Sequence, residues 1–165
     1  MMMKHLAKPM LILTLVFALV LCGCAVEPET FTKDGMSITL TNRFTEKEQA
    51  GYTVAYDSSK VAVLALKESF TTLEAAGLNS QSTVADYADV VIANNQMSDT
   101  DVQTKDGLTY FTYESDASGQ TYSYIAAVYK ADDAFWLIQF ACLKSDYAEQ
   151  EADMFTYAKS VTLQS

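Results

Sequence analysis

Residues 121–143 read TYSYIAAVYK-ADDA-FWLIQFACL, and this stretch decides the fold. Two runs rich in aromatic and aliphatic residues, Thr121–Lys130 and Phe135–Leu143, are joined by the short polar link Ala131–Ala134. A third run, Leu108–Glu114, precedes them across the polar residues 115–120. Short polar links between alternating runs are typical of antiparallel strands, so the three runs predict a meander.

Three runs upstream of the meander predict further strands. Met36–Leu40 alternates between apolar and polar residues directly after the turn signal Asp34-Gly35. Tyr52–Tyr56 alternates as well. Lys60–Phe70 opens with a continuous apolar run from residue 61 to 66, which favours a central strand covered on both faces.

Two helical patterns interrupt the strands. One runs from Thr83 to about Met97 with Ser82 or Thr83 as its N-cap, and the other from Asp146 to about Ser160 with Ser145 as its cap. A short helical turn is also expected over residues 73–78. The apolar stripes follow the helical period and comprise Val84, Tyr87, Ala88, Val91 and Ile92 in the first helix, and Tyr147, Met154, Phe155 and Ala158 in the second. This order predicts an α+β fold in which helices pack on an antiparallel β-sheet.

Three segments of this pattern resemble a known family. They are Gly35-Met36-Ser37-Ile38-Thr39-Leu40, Phe135-Trp136-Leu137-Ile138-Gln139-Phe140 and Ala158-Lys159-Ser160-Val161. Together with the meander they are similar to PsbP-related bacterial lipoproteins over about residues 31–163. One departure is Thr41, where many relatives carry a proline. The resemblance implies a PsbP-like sandwich and, by analogy, binding, because members share a scaffold and not a reaction.

The N-terminus has the features of a secretory signal. Two lysines precede an apolar run of about a dozen residues, which is shorter than the roughly 20 residues that a spanning helix needs. The following Leu21-Cys22-Gly23-Cys24 resembles a bacterial lipobox, which implies cleavage before Cys24 and attachment of a diacylglycerol to its thiol. Cys22 fits less well because Leu21 would precede the cut. We therefore expect a signal peptide at 1–23, a lipidated tether at 24–30 and one domain at 31–165; a plain secretory signal or an uncleaved anchor is the alternative.

The charge balance limits the partners of the mature chain. All 21 acidic residues follow Cys24, whereas Lys4 and Lys8 lie in the signal, so the net charge after cleavage is about −12. Such an acidic domain repels phosphate backbones, which argues against nucleic acid as a partner. It also repels anionic lipid head groups, so the acyl chains on Cys24 would hold the protein on the extracytoplasmic face of the membrane.

Residue types required by common catalytic centres are missing downstream of the signal. The single histidine is His5, so the mature chain has no Ser-His or Cys-His nucleophile and no histidine-ligated zinc site. After cleavage and acylation Cys142 is the one remaining thiol, and we expect it to be a buried apolar residue. The scattered glycines form no phosphate-binding loop. The sequence thus predicts no cofactor and no catalytic residue, although a Ser-Lys dyad stays open.

Clustered acids leave one further alternative. Asp99, Asp101 and Asp106 lie in one loop, but the sixth position counted from Asp99 is Thr104 and not the glycine that an EF-hand needs. We interpret this segment as a solvated loop in preference to a weak site for a hard cation. Asp132-Asp133 reads as a tight turn.

Aromatic residues supply the candidate binding site. Tyr110, Tyr122 and Tyr124 fall in adjoining predicted strands, with Phe111 and Tyr113 on the face opposite Tyr110. Such residues could form a platform on which a glycan or peptide stacks, with Tyr110 and Tyr124 as the candidate ligand-binding residues. Cross-strand pairing and core filling is the alternative and the preferred interpretation, because strands favour aromatic residues. Trp136 and Phe140 share a face with Ile138 and Cys142, which predicts that they are buried.

Two classes of function fit these features. One is a membrane-anchored module without catalytic activity that binds a protein, peptide or glycan at the cell envelope. The other is an envelope hydrolase that uses carboxylates alone. Aromatic residues buried under the helices would favour the first, and exposed aromatic residues beside a carboxylate-lined cleft would favour the second. The sequence does not indicate an oligomeric state.

Overall fold

A computed structural model describes residues 25–97 and 99–164, and these form ten strands and three helices. The strands are β1 (Pro28–Lys33), β2 (Met36–Thr41), β3 (Thr45–Lys47), β4 (Val54–Asp57), β5 (Ala62–Ser69), β6 (Gln103–Lys105), β7 (Leu108–Ala117), β8 (Gln120–Lys130), β9 (Ala134–Leu143) and β10 (Thr162–Leu163). The helices are α1 (Phe70–Leu73), α2 (Val84–Asn94) and α3 (Tyr147–Lys159), with single 3-10 turns at Glu74–Ala76 and Lys144–Asp146.

The strands form two antiparallel sheets. The large sheet has the order β3-β4-β5-β9-β8-β7-β6, and the small sheet has the order β1-β2-β10. The predicted meander is the β7-β8-β9 part of the large sheet. With α2 and α3 packed against this sheet, the fold is the α+β architecture that the sequence predicts.

Tight turns fix the register of the hairpins. The two-residue loop Asp34-Gly35 between β1 and β2 has φ angles of 50° and 88°, and Ser118-Gly119 between β7 and β8 has 52° and 78°. Positive φ at both central residues is the type I′ geometry, whose twist matches that of the flanking strands. The Asp34-Gly35 signal in the sequence therefore marks a turn of the predicted kind.

One face of the large sheet is fully covered. The small sheet and α3 pack over it, and Trp136, Ile138 and Phe140 of β9 are at most 1% exposed there. Cys142 follows on the same face and is also buried, as the alternation of β9 predicts. This side holds the larger of the two hydrophobic clusters, so it supplies most of the stabilising apolar burial.

The opposite face is covered over only part of its length. α2 and α1 pack on Phe111, Ala126, Val128, Phe135 and Leu137. The capping box between Thr83 and Asp86 starts α2, as the sequence predicts, but the helix ends at Asn94 and not near Met97. Eleven helical residues span about 16 Å, whereas the eleven residues of β8 span about 36 Å. Among residues 25–97 and 99–164, no helix therefore covers the remaining end of this face.

The incomplete cover changes one prediction for β5. Val63 and Ala65 are buried on the α3 side, but Leu64 on the other face is only half-buried. The expectation that this strand is covered on both faces is therefore wrong for its first half. The apolar run in the sequence could not show where the facing helix stops.

Two boundaries also differ from the predicted ones. Pro28, Glu29 and Thr30 pair with β2, so the part of the expected tether from residue 28 to 30 belongs to β1. The second helix begins at Tyr147 after a 3-10 turn that contains Ser145, and Ser145 does not cap it. The first difference arises because residues 28–30 pair with β2, and the second because a 3-10 turn precedes the helix. The local periodic pattern shows neither feature.

Candidate functional site: an open groove on the large sheet

The uncovered end of the large sheet carries two adjoining depressions that share Tyr124. The larger has a volume of about 900 Å³ and lies between the C-terminal end of α2, the strands β7–β9 and Tyr52. The smaller has a volume of about 350 Å³ and is bounded by residues 57–62, β8 and β9. We call the two together the open groove.

A pair of tyrosines stands in the middle of the open groove. Tyr113 of β7 and Tyr124 of β8 are directly opposite each other in the strand register. Their rings stack with centroids 4.5 Å apart and planes 7° from parallel. Phe111, two residues before Tyr113, continues this row under α2 at a centroid distance of 6.0 Å. Cross-strand aromatic pairs of this kind stabilise the sheet.

Hydrogen-bonding groups flank the stacked pair. The hydroxyl of Tyr52 donates to Oε1 of Gln139 at 3.2 Å. Burial raises the pKa of Tyr113, and the neighbouring hydroxyl of Tyr124 adds to the rise. Burial raises the pKa of Tyr52 and Tyr124 as well. All three phenols therefore stay protonated at neutral pH, so each can donate and accept hydrogen bonds.

The larger depression is lined by two acidic residues, Glu114 and Asp99. Glu114 lies 2.6 Å from the ammonium group of Lys144, so its carboxylate is already engaged. Asp99 lines the depression near the end of α2. Among the residues that the structure describes, no three His, Cys, Asp or Glu side chains come together in a way that could hold a metal ion. Aromatic faces, amides and hydroxyls in this arrangement suit recognition of a ligand.

Tyr110 does not share this site with Tyr124. It lies on the α3 side of the sheet, 7% exposed, with its ring edge-on to Phe155 at 5.0 Å and its hydroxyl donating to Oε1 of Gln103 at 3.0 Å. The platform formed by Tyr110 and Tyr124 is therefore a wrong prediction. The reason is the register: Tyr110 faces Ala127 and Tyr113 faces Tyr124, and alternate residues of a strand lie on opposite faces.

Three groove residues are not among the candidate ligand-binding residues that the sequence suggests. Tyr52, Tyr113 and Gln139 come from three separate parts of the chain, and only the sheet brings them together. The strand alternation in the sequence does place Tyr113 on the face opposite Tyr110. What the sequence lacked was the register that aligns it with Tyr124.

The other predicted candidates take structural roles or lie outside the described residues. Asp106 pairs with Lys159, which lowers the pKa of Asp106, and Asp133 pairs with Lys67 at 3.0 Å. Cys142 is a buried free thiol whose pKa is raised by burial and by Asp146. Cys22 and Cys24 lie outside the described residues. Within the described ranges, no helix combines the length and apolar character that crossing a bilayer requires.

Comparison with known proteins found similarity only to solved structures. No protein-family model and no curated protein matches the chain. Solved structures that it is similar to include PsbP (CyanoP) of Synechocystis sp. PCC 6803, with 16% identity over 84% of this chain and 92% of that one, and a TM-score of 0.48. A second is LpqN of Mycobacterium tuberculosis, described as involved in cell envelope biogenesis, with 10% identity over 85% and 92% of the two chains and a TM-score of 0.50.

A third similar structure comes from Bacteroides thetaiotaomicron, with 10% identity, a TM-score of 0.53 and coverage of 84% of this chain. This chain spans 49% of that protein. At these identities the likeness concerns the fold. The protein has an α+β fold of antiparallel sheets with packed helices, and its likeness to LpqN and to the Bacteroides structure is a likeness of fold.

Proposed function

We propose that this protein is an extracytoplasmic lipoprotein, anchored through Cys24, whose domain binds an envelope protein, peptide or glycan in the open groove and catalyses no reaction. The observation that carries the proposal is the stacked Tyr113–Tyr124 pair on a part of the sheet that no helix covers. Side chains that fill a core are covered on all sides, whereas these rings border a depression of about 900 Å³. Clefts with aromatic walls and a few polar groups are the usual form of binding sites.

The chemistry of the chain supports binding over catalysis. The residues after the signal contain no histidine, and Glu114 is engaged by Lys144. Similarity to LpqN, a protein involved in cell envelope biogenesis, is consistent with a role at the envelope but concerns the fold.

Binding can be tested with the acylated protein and envelope fractions of the source cell. Tyr124→Ala and Tyr113→Ala should lower retention on the fraction that binds the unchanged protein, measured at a temperature at which thermal unfolding shows each variant to be folded. Tyr157→Ala is the matched control, because Tyr157 lies on α3 and packs against Phe44, away from the groove. Equal retention of all variants would contradict the proposed site.

The absence of catalysis needs a separate measurement. Purified protein incubated with cell-wall fragments should release no soluble products. If turnover is observed and Asp99→Ala or Glu114→Ala abolishes it in a folded protein, the protein is a carboxylate-dependent hydrolase and the binding module is excluded.

The anchor is tested by fractionation. Cys24→Ser should move the protein from the membrane to the soluble fraction or block processing, whereas Cys22→Ser should leave a labelled fatty acid attached. Fatty-acid labelling that persists in Cys24→Ser and disappears in Cys22→Ser would contradict the assignment.

A further inference from the structure

The first described residues are fixed to the body of the domain by Asn42. Its backbone N–H donates to the carbonyl of Glu27 at 2.8 Å, and its side-chain Nδ2 donates to the carbonyl of Ala25 at 3.1 Å. The backbone N–H of Glu27 donates in return to Oδ1 of Asn42 at 3.3 Å. We call this set of hydrogen bonds the Asn42 clamp. It holds the chain from Ala25 onward, so no flexible linker separates the start of β1 from residue 25.

The clamp leaves very little chain between the domain and Cys24. In the sequence, the proposed anchor residue Cys24 directly precedes Ala25, and one peptide link spans about 3.8 Å between Cα atoms. An acyl chain on Cys24 would therefore bring the clamped corner to the lipid surface despite the acidity of the domain.

The surface next to the clamp suits contact with lipid. Val26 is 49% exposed and is the one large apolar side chain on the surface of the described residues. Arg43 adjoins Asn42 in the turn after β2, is exposed, and forms no ion pair within the described ranges. Val26 and Arg43 each adjoin a residue of the Asn42 clamp in the chain, and apolar and cationic side chains are the types found at the boundary between acyl chains and phosphate groups.

We propose that the Asn42 clamp seats the domain directly on the lipid bilayer in one orientation, with Val26 in the interface and Arg43 at the head groups. This inference rests on the proposed lipidation of Cys24. The expected arrangement is a fixed seat, in contrast to the loose tether that the sequence suggests for residues 24–30.

The seat also places the open groove relative to the membrane. Thr45, three residues after Asn42, pairs with Asp57, and Asp57 lines the smaller depression. β5 begins at Ala62, next to this depression, and ends at Ser69, where α1 starts. The two ends of β5 are about 25 Å apart. The uncovered end of the sheet is thus its membrane-proximal end, and a partner would enter the groove beside the bilayer.

Fluorescence quenching by brominated lipid tests the seat. The acylated protein would be reconstituted on vesicles of phosphatidylcholine with a minor fraction of phosphatidylglycerol, with and without bromine on the acyl chains near the head group. Val26→Trp and Thr45→Trp should be quenched several-fold more than Gln81→Trp. Gln81 is exposed in a loop that Lys130 holds at the α1 end through the carbonyls of Ser80 and Ser82. Trp136, buried in the core, gives a constant background.

Removing the side-chain hydrogen bonds of the clamp distinguishes a domain held in one orientation on the bilayer from a domain that is only near it. In the double variant Asn42→Ala/Thr45→Trp, the quenching should fall toward that of Gln81→Trp. In the double variant Asn42→Ala/Val26→Trp, most of the quenching should remain. Protein that binds vesicles but shows equal quenching at positions 45 and 81 would overturn the seat and leave lipidation intact. Protein that does not bind vesicles at all would overturn both the lipid anchor and the seat.

Discussion

Trp136 is the largest side chain in the core and is 1% exposed between the large sheet and the small sheet with α3. Phe155 of α3 is 8% exposed and packs against Tyr110. Truncating either residue removes a ring from a close-packed interior that can collapse only in part. Trp136→Ala or Phe155→Ala should therefore lower the free energy of unfolding by about 3–5 kcal/mol, measured by urea denaturation.

Two acidic loop residues provide the controls for this prediction. Asp132 and Asp101 are exposed. Asp132→Ala and Asp101→Ala should change the free energy of unfolding by no more than about 0.5 kcal/mol. If these variants cost as much as Trp136→Ala, the core assigned to β9 and α3 would not be the main source of stability.

Cys142 should behave as an inert thiol. It is 2% exposed, and burial together with Asp146 raises its pKa, so little thiolate forms at neutral pH. In a chain from Ala25 onward, a thiol reagent should react slowly in buffer and rapidly in urea, and a reducing agent should leave the melting temperature unchanged. A marked drop on reduction would indicate an intermolecular disulfide through Cys142.

At the scale of a single element, the start of α2 offers a pH-dependent test. The carboxylate of Asp86 accepts a hydrogen bond from the backbone N–H of Thr83, and this bond is the largest cause of the lowered pKa of Asp86. In return, the hydroxyl of Thr83 accepts a hydrogen bond from the backbone N–H of Asp86. A carboxyl whose pKa is lower in the folded state stabilises the protein above its unfolded pKa of about 3.9. That stability is lost as the pH falls through the folded pKa.

Two variants distinguish the contribution of the Asp86 carboxylate from that of the Thr83 hydroxyl. Asp86→Ala should reduce stability at pH 6, and the difference from the unchanged protein should shrink as the pH falls below about 4. Thr83→Ala removes the cap itself and should cost about 1 kcal/mol at pH 6. Thermal unfolding of both variants between pH 6 and pH 3 measures this, and a constant difference for Asp86→Ala would contradict the ionic contribution.

The elements also show how far a single sequence predicts this molecule. The sequence predicts the β7-β8-β9 strands, the Asp34-Gly35 turn and a cap at Ser82 or Thr83, and the structure has the strands, the turn and a cap at Thr83. Each of these features depends on neighbours in the chain. Of the two candidate ligand-binding residues, only Tyr124 lies in the open groove, because Tyr110 is on the opposite face of the sheet. Which residues face each other across two strands depends on register, and a shift of one residue exchanges the faces.

At the scale of the whole molecule, the N-terminal boundary can be tested by truncation. A chain that begins at Ala25 keeps β1 and the Asn42 clamp and should unfold cooperatively without the first 24 residues. A chain that begins at Phe31, the predicted boundary, loses the pairs of Pro28, Glu29 and Thr30 with β2. It should melt several degrees lower, because a truncated β1 leaves one edge of β2 unpaired; equal melting temperatures would show that residues 25–30 do not stabilise the domain.

The sequence by itself determined the fold class, the order of the main strands and helices, and the burial of Trp136, Phe140 and Cys142. These features follow from local periodicity, turn residues and the need to cover apolar faces. Only the tertiary structure decided that α2 stops short of the end of β8 and that Tyr113 stacks on Tyr124. It also decided that Asn42 holds Ala25. Each of these depends on the relative lengths and registers of elements far apart in the chain, which no local pattern encodes.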